Sequence, residues 1–90
     1  MVQVVWTRGA TSDLRAIRAY VAEFSPLAAQ RLAARLVAAA RSLESAADRG
    51  RPIARGRREL AVVPPYLIRY VREGERVVIL EVRHGARDPE

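Results

Sequence analysis

Gly74 stands between two runs dense in β-branched and aromatic residues, Tyr66–Arg72 and Arg76–His84. Such runs read as strands, and the glycine between them as the turn of a β-hairpin. The loop is either Glu73-Gly74 or Gly74-Glu75. Both registers give the same faces, because their pairing sums differ by two. One face carries Leu67, Arg69, Val71, Val78, Leu80, Val82 and His84; the other carries Tyr66, Ile68, Tyr70, Val77, Ile79, Glu81 and Arg83. The first is the more apolar and is expected to lie against helices, with the second more open. Arg69 breaks that division, and the sequence offers no account of where its charge goes. The second run leads into His84-Gly85-Ala86-Arg87, a basic loop at the sheet margin.

The rest of the chain supplies the layer that such a hairpin needs. Val2–Trp6 is a short strand, and Gly9 breaks it. Thr11 or Ser12 can cap a helix whose first turn carries Asp13, and Leu14, Ile17, Val21 and Phe24 form its apolar stripe. Ser25-Pro26 restarts a second helix, capping side chain first and proline at the first helical position. That helix is expected to run to about Ala47, with Ala29, Leu32, Ala33, Leu36, Val37, Ala40 and Leu43 on its apolar face. Gly50 is available for a left-handed C-cap. A basic loop follows, with Arg51, Arg55, Arg57 and Arg58, then a strand from Glu59 to Val63 closed by Pro64-Pro65. The predicted order is β-α-α-β-β-β, an α+β fold in which a helical hairpin packs on one face of a small, mainly antiparallel four-stranded sheet.

Ninety residues make one domain, 1–90, with room for one core and a thin margin of stability. There is no cysteine and a single histidine, which excludes a disulfide framework and a thiolate or His-rich metal site. No apolar run approaches the ~20 residues of a membrane span, and no signal pattern is present, so a cytoplasmic location is expected. The net charge is +6, and all 16 cationic residues are arginine. Guanidinium binds carboxylate or phosphate in a bidentate manner, so the charge points to an acidic partner. Codon bias explains the absence of lysine equally well, since the chain also has 16 alanines.

In this order and spacing, the sequence resembles the RelE/ParE toxins of bacterial type II toxin–antitoxin pairs. The resemblance covers nearly the whole chain and rests on Val4-Val5-Trp6-Thr7, Asp13-Leu14-Arg15-Ala16-Ile17, Tyr20-Val21, Ser25-Pro26-Leu27-Ala28-Ala29, Gly50-Arg51-Pro52 and Arg58-Glu59-Leu60. Tyr66-Leu67-Ile68-Arg69-Tyr70 and Val82-Arg83-His84-Gly85-Ala86-Arg87 complete it. It implies a growth-arresting toxin of the plasmid-stabilisation type, neutralised by a ParD-like antitoxin. The antitoxin would contact Leu14, Ile17, Val21 and Arg55. Family members either cleave mRNA on the ribosome or poison DNA gyrase.

Cleavage by a 2′-hydroxyl needs a base, an acid and cations around the phosphorane. In this chain Arg58, Arg69, Arg83, His84 and Tyr66 would have to supply them. The lysines common in cleaving members are missing, however, and Leu67 stands where those members tend to carry arginine after the residue matching Tyr66. The His-Gly-Ala-Arg ending looks ParE-like. The expectation is therefore a gyrase inhibitor rather than an enzyme, without cofactor or metal, meeting its target through Arg57, Arg58, Arg83, His84 and Arg87. Ribosome-dependent RNase activity, and a degenerate toxin that only binds its antitoxin, are the alternatives. Direct sequence-specific DNA binding is not expected, because no helix displays a dominant basic run.

Overall fold

The computed structural model describes residues 2–85. Strand β1 (Gln3–Trp6) leads into helices α1 (Arg8–Ala22) and α2 (Pro26–Arg41), the second ending in a 3-10 turn over Ser42–Glu44. A two-residue strand β2 (Arg51–Pro52) and a second 3-10 turn precede β3 (Arg58–Val63), β4 (Tyr66–Glu73) and β5 (Arg76–His84). The five strands are ordered β1-β5-β4-β3-β2; β1 runs parallel to β5 and every other pair is antiparallel. The sheet thus has one strand more than predicted, because Arg51-Pro52 pairs with Glu59-Arg58. No helix among the described residues is long and apolar enough to cross a membrane.

Local chemistry sets the helix boundaries. Ser25 caps α2 as its sequence suggests, its Oγ accepting from the Ala28 amide at 3.1 Å with Pro26 in the first turn. The first helix begins earlier than expected. Its cap is Thr7, not Thr11 or Ser12, and the Thr7 Oγ1 accepts from the Ala10 amide at 3.0 Å. The same hydroxyl donates to the Ile79 carbonyl of β5 at 2.9 Å, where β1 ends and leaves β5 without a neighbour. One side chain therefore starts a helix and closes a sheet edge. Thr7→Val, which keeps shape and loses both bonds, should cost about 1–2 kcal/mol in urea denaturation, while Thr7→Ser retains most of that. Asp13 continues the seal, its Oδ2 accepting from the Val82 amide at 3.0 Å.

Two expectations for apolar positions fail for geometric reasons. Phe24 is 75% exposed, because α1 stops at Ala22 and the ring lies in the turn beyond, edge-on to Tyr20. Val37 is 44% exposed, because it faces the outer cleft between the helices. The α2 residues in the core are Leu36, Ala39, Ala40 and, just beyond, Leu43. Gly50 is not a left-handed cap, since only Gly56 and Gly74 among the described glycines have positive φ. It is small for reasons of space. Tyr70 is fully buried, and its hydroxyl donates to the Ala47 carbonyl at 2.9 Å and accepts from the Gly50 amide at 2.8 Å. That hydroxyl ties the segment after α2 to the centre of the sheet.

The hairpin faces are the reverse of expectation. Its loop is Gly74-Glu75, with Glu73 paired to Arg76. Ile68, Tyr70, Val77, Ile79 and Val82 form the buried core with the helices, while Arg69 faces the other side. Counting apolar residues misleads here because Leu67, Val71 and Val78 are only half-buried, on the side away from the helices. A β-bulge adds to the error. Arg69 pairs with Glu81 but Tyr70 pairs with Ile79, so Leu80 is an extra residue in β5. Beyond it the alternation flips, sending Val82 inward and Glu81 and Arg83 outward. A second bulge between Leu60 and Val63 sets Glu59 directly opposite Arg69.

Candidate binding face of the sheet

The two bulges assemble a chain of charges on the side of the sheet away from the helices. Glu59 Oε2 accepts from Arg69 Nε at 2.9 Å, and Glu59 Oε1 accepts from Arg51 Nη2 at 2.7 Å. Glu81 meets three guanidiniums: Arg83 Nη1 at 2.9 Å, Arg57 Nη1 at 3.7 Å and Arg69 Nη1 at 4.0 Å. Arg69 and Glu59 are 9% and 4% exposed at the side chain, so this central pair is desolvated. Arg83 and Arg57 keep 39% and 26% of their side-chain surface. Among the described residues, four guanidiniums meet two carboxylates in this cluster.

The candidate residues named from the sequence separate into distinct places. Arg57, Arg69 and Arg83 come together in this cluster. Arg58 does not; its guanidinium donates to the carbonyls of Gly50 at 2.7 Å and Asp48 at 3.2 Å, anchoring the loop after α2. Tyr66 and His84 form a separate edge-to-face pair with centroids 5.4 Å apart. The Nδ1 of His84 is buried with no hydrogen-bond partner among the described residues, so that nitrogen is not offered to a substrate hydroxyl. Arg87 lies outside the described residues. Arg55 occupies a tight turn at φ 65 and is exposed. Among the described residues no group of three metal-ligating side chains is placed to hold a metal.

The residues that sequence reasoning missed are Glu59 and Glu81, which organise the cluster. Both were visible as charges within strands, where acidic residues are depleted. Their pairing to Arg69 depended on the two bulges.

A second surface lies on the outer side of the helices. Leu14, Ala33, Ala34, Val37 and Ala38 floor a cleft of about 650 Å³ between α1 and α2, and Arg15, Arg18 and Arg41 rim it. Those three arginines make no ion pair among the described residues, in contrast to Arg51, Arg57, Arg69 and Arg83 of the sheet cluster. Of the expected antitoxin contacts, Leu14 lines this cleft, Ile17 packs towards the core, Val21 is half-buried, and Arg55 does not line it.

Comparison with known proteins matches this architecture. The family model described as the ParE toxin of the type II toxin–antitoxin system parDE matches residues 4–89. Toxin RelE2 of Caulobacter vibrioides (strain ATCC 19089 / CIP 103742 / CB 15) is 55% identical over 87 residues, which span 97% of this chain and 99% of the relative. A solved structure of the chromosomal ParDE TA system from P. aeruginosa contains a chain that superposes with a TM-score of 0.84 at 29% identity. It covers 93% of this chain and 96% of its own length.

Proposed function

Because the chain belongs to the ParE/RelE family of type II toxin–antitoxin toxins, we propose that it arrests growth by binding a protein target, DNA gyrase, and not by cutting RNA. One observation carries the choice. The arginines of the uncovered sheet face are already neutralised in part by Glu59 and Glu81. The two candidate proton carriers, His84 and Tyr66, stand two residues from the inward-facing Val82 and Ile68 in their strands and so share the helix side with them, away from Arg69 and Arg83. A cleavage site needs a group that takes the 2′-hydroxyl proton and another that protonates the leaving oxygen. Arginine, always charged, does neither. A surface of pre-oriented guanidiniums suits acidic side chains on a protein instead, because bidentate bonds to carboxylates depend on such orientation.

The cleft between α1 and α2 is the proposed seat of a ParD-like antitoxin. Its apolar floor takes the apolar face of a helix, and its rim of Arg15, Arg18 and Arg41 takes acidic residues on the flanks of that helix. The similarity to a ParDE assembly supports an antitoxin partner. A segment that orders on binding there would also stabilise this small domain by mass action.

The test is a supercoiling assay with purified toxin and gyrase. Supercoiling should fall and linear plasmid accumulate at micromolar toxin, and both effects should vanish when antitoxin is added. Undisturbed supercoiling, together with codon-position cuts in translated mRNA, would overturn the reading.

A further inference from the structure

A pocket at the start of α1 lies apart from the sheet face and only adjoins the helical cleft, with which it shares Thr11 and Arg15. Its volume is about 530 Å³, and it is lined by Trp6, Arg8, Thr11, Ser12 and Arg15. That size lies within the roughly 300–1,000 Å³ of small-molecule sites. From Arg8 the next three lining residues follow at spacings of three, four and seven, so all four share one stripe of the helix. Arg8 and Arg15 are exposed and make no ion pair among the described residues. No carboxylate lines the pocket; Glu44 lines a neighbouring one, across Trp6. Thr7 already caps α1 through the Ala10 amide, so the pocket is built from side chains and not from the open end of the helix. Its remaining wall is the chain's one tryptophan, half-buried, which packs in part on the core and also lines the cavity.

We propose that this pocket binds a nucleotide unit, its base against the Trp6 indole and its phosphate held by Arg8 and Arg15 with the hydroxyls of Thr11 and Ser12. Each wall answers one part of that ligand. Guanidinium bonds phosphate oxygens in a bidentate manner, and serine and threonine hydroxyls donate to them. Two guanidiniums without a counter-ion match the charge of a terminal phosphate, about −1.5 to −2 at neutral pH. An indole beside them offers a base the stacking surface used by proteins that hold single strands. A carboxylate ligand would use the arginines and leave the indole idle. The chemistry is the same for a free nucleotide and for one residue of a single strand. The inference goes beyond the gyrase and antitoxin readings and depends on neither.

Because Trp6 is the sole tryptophan, its fluorescence reports on the pocket directly in the full-length toxin. Adenosine 5′-monophosphate should quench it saturably, with a dissociation constant of about 1 mM or tighter. Adenosine and inorganic phosphate, each holding one half of the ligand, should bind at least about tenfold more weakly. Arg8→Gln and Arg15→Gln should each weaken binding of the monophosphate by roughly three- to tenfold. Arg35→Gln removes another exposed arginine, from a separate cleft along α2, and should change it less than about twofold at physiological salt. By calorimetry, Trp6→Phe keeps a stacking ring and should retain most of the affinity, while Trp6→Leu, once circular dichroism shows it folded, should lose about fivefold or more. A short single-stranded oligoadenylate that binds about tenfold tighter than the monophosphate would identify a strand as the source of the unit, and equal affinity a free nucleotide. The proposal fails if the monophosphate leaves the fluorescence unchanged at about 10 mM, if inorganic phosphate binds as tightly, or if Arg35→Gln costs as much as Arg15→Gln.

Discussion

Arg69→Met is expected to destabilise the protein by about 3–5 kcal/mol, the usual result of stranding one member of a buried ion pair. The variant leaves the Glu59 carboxylate, 4% exposed, with only the rim residue Arg51, whose side chain is 64% exposed. A chain of 90 residues holds roughly 4.5–13.5 kcal/mol in total, so the loss takes a large share and lowers the midpoint in urea accordingly. The double variant Arg69→Met/Glu59→Leu removes the stranded charge together with its partner. It should recover at least half of the loss, because apolar replacement of a whole buried pair is often neutral. A single variant that loses less than about 1 kcal/mol would mean that water reaches the pair and that it does not organise this face.

Gly50→Ala should be comparably damaging for a different reason. A Cβ at this position would lie 2.8 Å from both Cε1 and Oη of Tyr70 and 3.0 Å from the carbonyl oxygen of Glu59. Tyr70 is fully buried between the helices and the sheet, and its hydroxyl is fixed by Gly50 and Ala47, so the ring cannot step aside. Overpacking costs about 1–3 kcal/mol, and the two displaced hydrogen bonds add about 1 kcal/mol each. Thermal unfolding should therefore show a loss of about 3 kcal/mol or more. Tyr70→Phe removes one of the clashing atoms, so Gly50→Ala should cost less in that background than in the natural protein. Equal costs in both backgrounds would show that the hydroxyl is not the obstacle.

Much of the molecule was legible in the sequence. Ser25-Pro26 announced the start of α2, the apolar spacing from Leu14 and from Leu36 announced the inward stripes, and Gly74 announced the hairpin loop. These signals are local: a cap bonds three residues ahead, a stripe repeats every three or four, and a turn needs one permissive glycine. The candidate arginines were partly legible as well, because Arg57, Arg69 and Arg83 do converge. Arg58, which looks equivalent in sequence, is spent on two carbonyls at the opposite side of the sheet. Arg57 stands in extended backbone just ahead of β3, and successive extended residues point to opposite sides, so adjacency in sequence separated Arg57 from Arg58 rather than joining them.

The residues alone determined the element types, their order and the two-layer α+β arrangement, since those follow from short-range hydrogen bonding and from periodic apolar burial. Tertiary structure decided which side of the hairpin is covered and which charges meet. The meeting of charges turns on two single-residue bulges, at Leu80 in β5 and between Leu60 and Val63 in β3, each of which shifts the pairing by one and reverses the side chains of its strand beyond it. No alternation in the sequence marks where a ladder slips, because the slip is fixed by contacts between distant residues: Asp13 on the Val82 amide and Glu59 against Arg69.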